Sequence, residues 1–162
     1  MISLADISRS VVYRLKNLAK LTRSGVEYGS YQCAVSLKRE INARILEKPK
    51  HGLTYYHRDR AGRIRKHVAS APLETHANFT GKMRRSLGFA VRTSDFEIGF
   101  GVNGKEPAPK IYPAIIEFGG VRIKPRNSIL NGIRAQQRNF TNYYAAQIGR
   151  RLEGRGGIIV ES

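Results

Sequence analysis

The sequence holds one cysteine, Cys33, no tryptophan and two methionines in 162 residues. A lone thiol excludes an intramolecular disulfide framework and a thiolate-rich zinc module. Acids are scarce: 12 Asp+Glu stand against 29 Lys+Arg, a formal net charge of +17. No apolar run approaches the roughly 20 residues a membrane-spanning helix needs. The start, Met1-Ile2-Ser3-Leu4-Ala5-Asp6, has no basic region followed by an apolar one, so no secretory signal is read there. Together these absences lead us to expect a protein made and kept in a reducing cytoplasm. What is present is ordinary for a packed chain: 41% hydrophobic residues argue against wholesale disorder, and the length fits one domain.

The positive charge is not a tail. Residues 1–50 carry a net +6, residues 51–95 a net +6 and residues 96–162 a net +5. Basic surface is therefore expected along the whole chain, which suits work beside a polyanion or against acidic neighbours. The densest stretch is Arg58-Asp59-Arg60-Ala61-Gly62-Arg63-Ile64-Arg65-Lys66.

Periodicity predicts an α+β fold. Ser3 and Asp6 have capping-box spacing, with Ile2 and Ile7 placed as a hydrophobic staple. Leu4, Ile7, Val11, Leu15 and Leu18 form one apolar stripe that Ser24-Gly25 is expected to end. A second helix is expected over about 30–47, with Ala34, Leu37, Ile41 and Ile45 inward and Lys38, Arg39, Glu40 and Arg44 outward, stopped by Lys48-Pro49. Two strands, 52–57 and 63–70, flank the loop Asp59-Arg60-Ala61-Gly62. Neither face of this basic hairpin is cleanly apolar, so it is expected to protrude or to lie in an interface. Residues 71–81 read as irregular. A second hairpin alternates Leu87, Phe89 and Val91 with Phe96, Ile98 and Phe100. A polar loop covers 103–109, a short helix 112–120 and a short strand 121–124. A long last helix starts at Asn127 as candidate N-cap and closes at Gly154, its stripe being Leu130, Ile133, Tyr144, Ile148 and Leu152 with Phe140 beside it. The expected architecture is N-terminal helices, a small mostly antiparallel sheet and a long C-terminal helix: one domain over 1–155 and a short apolar tail over 156–162.

Few residues point to catalysis. His51, His57, His67 and His76 have no ligand spacing. Asp59, Asp95, Glu97 and Glu117 are the raw material for a nuclease-like carboxylate cluster, but no motif joins them. Cys33 reads as core. The glycines of 99–104 lack a phosphate-loop pattern and read as a turn. No cofactor or metal site is read. The basic hairpin either contacts phosphates through its cations, with Tyr55 and Tyr56 placed to stack on bases, or is simply solvated or paired with acidic protein. No helix-turn-helix, zinc-finger or RNA-recognition signature suggests base-specific reading.

Two stretches carry a resemblance. One is His67-Val68-Ala69-Ser70-Ala71-Pro72 followed by Thr80-Gly81-Lys82-Met83-Arg84-Arg85-Ser86. The other is Tyr112-Pro113-Ala114-Ile115-Ile116-Glu117-Phe118-Gly119, then Pro125 and a closing amphipathic helix. In this order, over about residues 30–153, the chain resembles the gene-10-like neck or tail-component family of long-tailed double-stranded DNA bacteriophages. It departs from the family pattern in the insertion at 73–79, Met83 in place of Leu, Pro113 within the Tyr-Ala pair, and no aromatic after Pro125.

The resemblance implies a non-enzymatic virion protein, assembled in the host cytoplasm. It would be a homo-oligomeric ring joining the head connector or portal to tail-terminator or tail-tube proteins around the DNA, without a membrane. It further implies structural roles for Pro72, Thr80, Gly81, Arg84, Ser86, Glu117, Phe118, Gly119 and Pro125, with Glu117, Phe118 and Gly119 forming a packed turn. In that setting Arg58, Arg60, Arg63, Arg65 and Lys66 would meet double-stranded DNA or a neighbouring ring. The alternative is a non-sequence-specific nucleic-acid-binding protein.

Overall fold

A 43-residue helix, α1 (Leu4–Leu46), opens the fold where two helices were expected. The computed structural model describes residues 4–77, 81–93, 95–102, 112–121 and 124–154, with side chains from residue 11 in α1 and from residue 114 in the third helix. The capping residues Ser3 and Ile2, the loop 103–109, Thr80 and the tail 156–162 lie outside the described residues, as do the side chains of Asp6 and Ile7. After α1 come β1 (Thr54–Arg58), β2 (Ile64–Val68), α2 (Lys82–Ser86), β3 (Leu87–Arg92), β4 (Asp95–Phe100), α3 (Tyr112–Phe118) and α4 (Ser128–Leu152). The strands form two separate two-stranded sheets, β1–β2 and β3–β4, and the architecture is α+β as read from the sequence. Of the strand expected over 121–124, only Val121 and Lys124 are described, and neither is extended into a sheet.

Ser24-Gly25 does not end α1 because its glycine serves packing rather than chain reversal. The chain divides into two compact units, the first being Met1–Cys33, Val91–Phe96 and Arg138–Ser162. In this unit a Cβ on Gly25 would sit 2.7 Å from Cα of Ile148, and one on Gly29 would sit 2.6 Å from the Tyr144 ring. Glycine costs a helix interior about 1 kcal/mol relative to alanine; the close helix approach it permits offsets that. Ser30 fills the next position, its Oγ donating to the Val26 carbonyl at 3.1 Å and lying 2.9 Å from the Tyr144 hydroxyl. Cys33 is fully buried beside the Phe140 carbonyl, in the core role expected of it, and burial pushes its thiol up to about 11. Phe96 meets Phe140 edge to face, and the Arg151 guanidinium lies 5.6 Å over the Tyr28 ring.

The second unit is Ala34–Ala90 with Glu97–Gln137. Ala34, Leu37, Ile41 and Ile45 are all buried, as their spacing predicts. Burial of Leu37, Ile41 and Ile45 contributes on the order of 1.5–3 kcal/mol each, and that of the Ala34 methyl less. Gly132 of α4 has no room for a Cβ against Ile41 and Leu37. Glu40 sits on the flank: Arg44 bonds it at 2.7 Å and the Gln136 amide at 3.3 Å. On α4 the expected stripe is only part right. Ile133 and Phe140 are half-buried, but Leu130 and Leu152 are exposed, while Gln147 and Arg151 are buried.

Candidate interaction surface on the basic hairpin

Strands β1 and β2 pair antiparallel, with Tyr56 opposite Lys66, His57 opposite Arg65 and Arg58 opposite Ile64. Backbone bonds from Gly52 to Ala69 and from Ala69 to Leu53 continue the ladder past the strand ends. The turn closes through Asp59. Its backbone N–H donates to the Arg63 carbonyl, and its Oδ1 accepts the N–H groups of Ala61 and Arg63 at 2.9 and 3.0 Å. Gly62, at φ 75, supplies the left-handed residue such a turn needs.

Oδ2 of the same carboxylate accepts Nε of Arg63 at 3.2 Å and Nε of Arg65 at 3.1 Å. These bonds, led by that from the Arg63 backbone, hold the Asp59 carboxyl below its ordinary range. Five cations read as one group from sequence are thus sorted into two. Arg63 and Arg65 converge on Asp59. Arg58, Arg60 and Lys66 make no ion pair among the described residues. Tyr55 and Tyr56 are exposed on opposite faces of the ribbon.

A cleft of about 810 Å³ lies where the hairpin meets the end of α1. Lys48, Lys50, Arg65 and Lys66 line it together with His57 and His67. Burial, and then the charge of His57, lower the His67 pKa. Lys50 donates to the Arg44 carbonyl at 2.9 Å, satisfying one of the open carbonyls at the end of α1. Cations on a narrow ribbon beside a cationic cleft attract phosphates or carboxylates without choosing a sequence.

The residues singled out by resemblance gather elsewhere in the same unit. The turn Ala71-Pro72-Leu73-Glu74 is tied by Glu74, whose carboxylate accepts the Ala71 N–H at 2.7 Å and meets His51 at 3.0 Å. Leu73, at φ 64, donates its N–H to the Pro125 carbonyl at 2.8 Å, and Arg126 donates to the Ile116 carbonyl. Glu117, buried, accepts the N–H groups of Ser128 and Ile129 at 2.8 and 2.7 Å and that of Leu130 at 3.4 Å. Glu117 therefore caps α4, the role assigned from sequence to Asn127. Asn127 holds the cap position at φ 46, and its carbonyl accepts the Asn131 N–H.

Ser128, fully buried, links this cap to His76 through its Oγ, 2.7 Å from Nδ1. A serine and a histidine in contact invite a nucleophilic reading. The geometry does not support it, because the hydroxyl has no access to substrate and the carboxylate serves backbone donors rather than the imidazole.

The other motif residues serve local folding. Gly81, at φ 74, precedes α2, and Ser86 is buried with its Oγ on the Met83 carbonyl. Arg84 Nε is buried without a hydrogen-bond partner among the described residues. Gly119 closes α3, at φ 86 with its N–H on the Ile115 carbonyl. Phe118 departs from expectation: it is 81% exposed and takes no part in a packed turn. Glycine, not the aromatic, makes that turn. The contacts of His76 with Ser128 and of Glu74 with His51 were not read from the sequence, since tertiary folding rather than spacing brings these partners together.

Of the four acids considered for a carboxylate cluster, Asp59 and Glu117 are committed to separate hydrogen-bond sets. No group of three His, Cys, Asp or Glu able to hold a metal occurs among the described residues, and no described helix is long and apolar enough to cross a membrane. Comparison with family models, characterised proteins and solved structures returned no match to this chain.

Proposed function

We propose that this chain is a structural subunit of a tailed bacteriophage virion, a ring-forming neck or tail-completion protein that joins the head connector to the tail around the DNA. The observation that carries the reading is the meeting of its motif segments. Leu73 of the Ala-Pro turn bonds Pro125, Ile116 bonds Arg126, and Glu117 caps the closing helix. Leu73 and Pro125, 52 residues apart in sequence, are joined in this way to Ile116–Arg126 and Glu117–Ser128, which are ten and eleven apart, as an ordered motif set that encodes a scaffold requires. The cationic hairpin suits a place beside DNA or an acidic neighbouring ring, where attraction without base recognition is sufficient. Electron microscopy of the assembled particle, with an antibody or gold label on this chain, tests the proposal. Label at the head–tail junction is the expected result; label elsewhere, or none on the particle, overturns it.

A second reading, a non-sequence-specific nucleic-acid-binding protein, is favoured by one observation, the three cations Arg58, Arg60 and Lys66 without ion-pair partners among the described residues. It requires affinity for duplex DNA that falls steeply with salt; a flat response removes it.

A further inference from the structure

The cleft where the hairpin meets the end of α1 lies within one compact unit, so its walls hold one another in place. Its lining carries four Lys or Arg, namely Lys48, Lys50, Arg65 and Lys66, against one acid, Glu47. Lys48 and Lys66 make no ion pair among the described residues. Lys50 has three N–H donors, and one of them serves the Arg44 carbonyl at 2.9 Å. That bond also covers a carbonyl of the helix end, whose negative partial charge otherwise opposes an anion. His57 and His67, both half-buried, complete the polar wall.

Carboxylate and phosphate make different demands on such a wall. A carboxylate carries one charge and is best met by the fork of an arginine. The cleft has one arginine, and Nε of Arg65 already bonds Asp59 at 3.1 Å. What remains is ammonium groups, compact point charges that suit phosphate from several directions. A phosphate monoester brings close to two negative charges at neutral pH and three acceptor oxygens. The volume adds a second constraint. About 810 Å³ is the size of a small-molecule site and far exceeds a bare phosphate. Ile45, Leu46, Pro49 and Val68 give the rest of the lining an apolar character, which suits the organic group of an ester.

We propose that this cleft binds an organic phosphate monoester, with its phosphoryl oxygens on the Lys48, Lys50 and Lys66 cluster and its organic group against Leu46, Pro49 and Val68. Two sources supply that chemistry, a free nucleotide and the 5′-phosphorylated end of a nucleic-acid strand. The site is separate from the hairpin tip, since Arg58 and Arg60 are not among its lining residues. It is independent of the virion reading.

Isothermal titration calorimetry of the full chain at physiological salt tests the proposal. The probes are AMP, inorganic phosphate, and a short oligothymidylate with and without a 5′-phosphate. Saturable binding of AMP, tighter than that of inorganic phosphate, is expected at one per chain. Lys48→Gln with Lys66→Gln should weaken it about tenfold or more. Arg58→Gln with Arg60→Gln should leave it unchanged. All four positions are exposed, so circular dichroism should show native helix content for both variants. A 5′-phosphate that tightens oligothymidylate binding through Lys48 and Lys66 supports the site and assigns it to strand ends. AMP binding with no such gain supports it and assigns it to free nucleotides.

Proton NMR of the imidazole rings gives a readout that needs no variant. Burial, and then the charge of His57, lower the His67 pKa. Around that ring stand His57, Arg65 and Lys66 of the hairpin, and Glu47, Lys48 and Lys50 from the end of α1 and the loop after it. A phosphate seated among them favours the protonated ring, so His67 should titrate at higher pH with AMP or the phosphorylated strand than without. An unchanged His67 titration at saturation overturns the proposal. So does the absence of saturable binding by both AMP and the phosphorylated strand, or equal affinity for AMP and inorganic phosphate. Binding kept by the Lys48/Lys66 variant, or lost with the Arg58/Arg60 variant, also overturns it. None of these outcomes moves the label on the particle, so the virion reading stands or falls separately.

Discussion

The carboxylate of Glu117 accepts the backbone N–H of Ser128 at 2.8 Å, and through the Ser128 hydroxyl the contact reaches the ring of His76. One acid eleven residues upstream satisfies donors that the first turn of α4 leaves open, and places negative charge at the positive end of the helix. Glu117→Ala removes all three bonds inside a buried site and should destabilise the chain by about 2–3 kcal/mol. Glu117→Gln, which keeps one oxygen acceptor, should recover part of the loss. Urea denaturation followed by circular dichroism measures both; equal stability of Glu117→Ala and wild type would refute the capping role.

His76 sets an acid limit. Burial lowers its pKa from 6.5 to about 4, with the Lys50 charge adding to the shift. The folded chain therefore leaves the imidazole neutral where the unfolded chain protonates it. Stability is unaffected by this group above pH 6.5, falls as pH drops from 6.5 towards 4, and levels below that, a loss of about 3 kcal/mol in total. His67, lowered in the same direction, adds to the slope. Melting temperatures of wild type and His76→Asn across this range should converge at low pH; parallel curves would contradict the assignment.

Two glycines of the long helices should respond with opposite signs. Gly149→Ala meets nothing within 4 Å among the described residues and should stabilise by up to about 1 kcal/mol through helix propensity. Gly25→Ala meets the backbone of Ile148 and should destabilise by about 1–3 kcal/mol despite the same propensity gain. Thermal melts of the two variants compare them directly.

Cys33 should be inert in the folded chain. Its thiol is fully buried and raised to about 11, so a disulfide-exchange reagent at pH 8 should label it only after unfolding. Rapid labelling of native protein would show that the α1–α4 seam opens.

If the hairpin contacts nucleic acid, Arg58→Gln, Arg60→Gln and Lys66→Gln should each lower the slope of log K against log salt by about 1. Arg63→Gln should lower it less, because Asp59 already holds that guanidinium.

Legibility in the sequence followed the range of the interaction. Ala34, Leu37, Ile41 and Ile45 were readable because helical periodicity alone places them inward, and both hairpins were readable from alternation around turn residues. The break at Gly25 was misplaced because a glycine that admits a neighbouring helix looks, in one dimension, like one that ends its own. The stripe Val11–Leu15–Leu18 was correctly traced, but periodicity does not say whether a face has a partner within the chain. Asn127 is the best local candidate for a cap; Glu117 displaces it by a tertiary contact that no spacing rule contains. The hairpin cations were all found, yet their division by Asp59 follows from strand register.

The boundary between the two compact units crosses the chain four times, at Cys33/Ala34 inside α1, Ala90/Val91 inside β3, Phe96/Glu97 inside β4 and Gln137/Arg138 inside α4. A boundary carried by linkers yields to proteases and lets each half be cloned by itself. One that crosses two helices and two paired strands does neither: a cut there severs hydrogen-bonded backbone and frays both pieces. Melting of one unit is therefore transmitted along shared helical backbone to the other, and the chain should lose its structure in a single cooperative step.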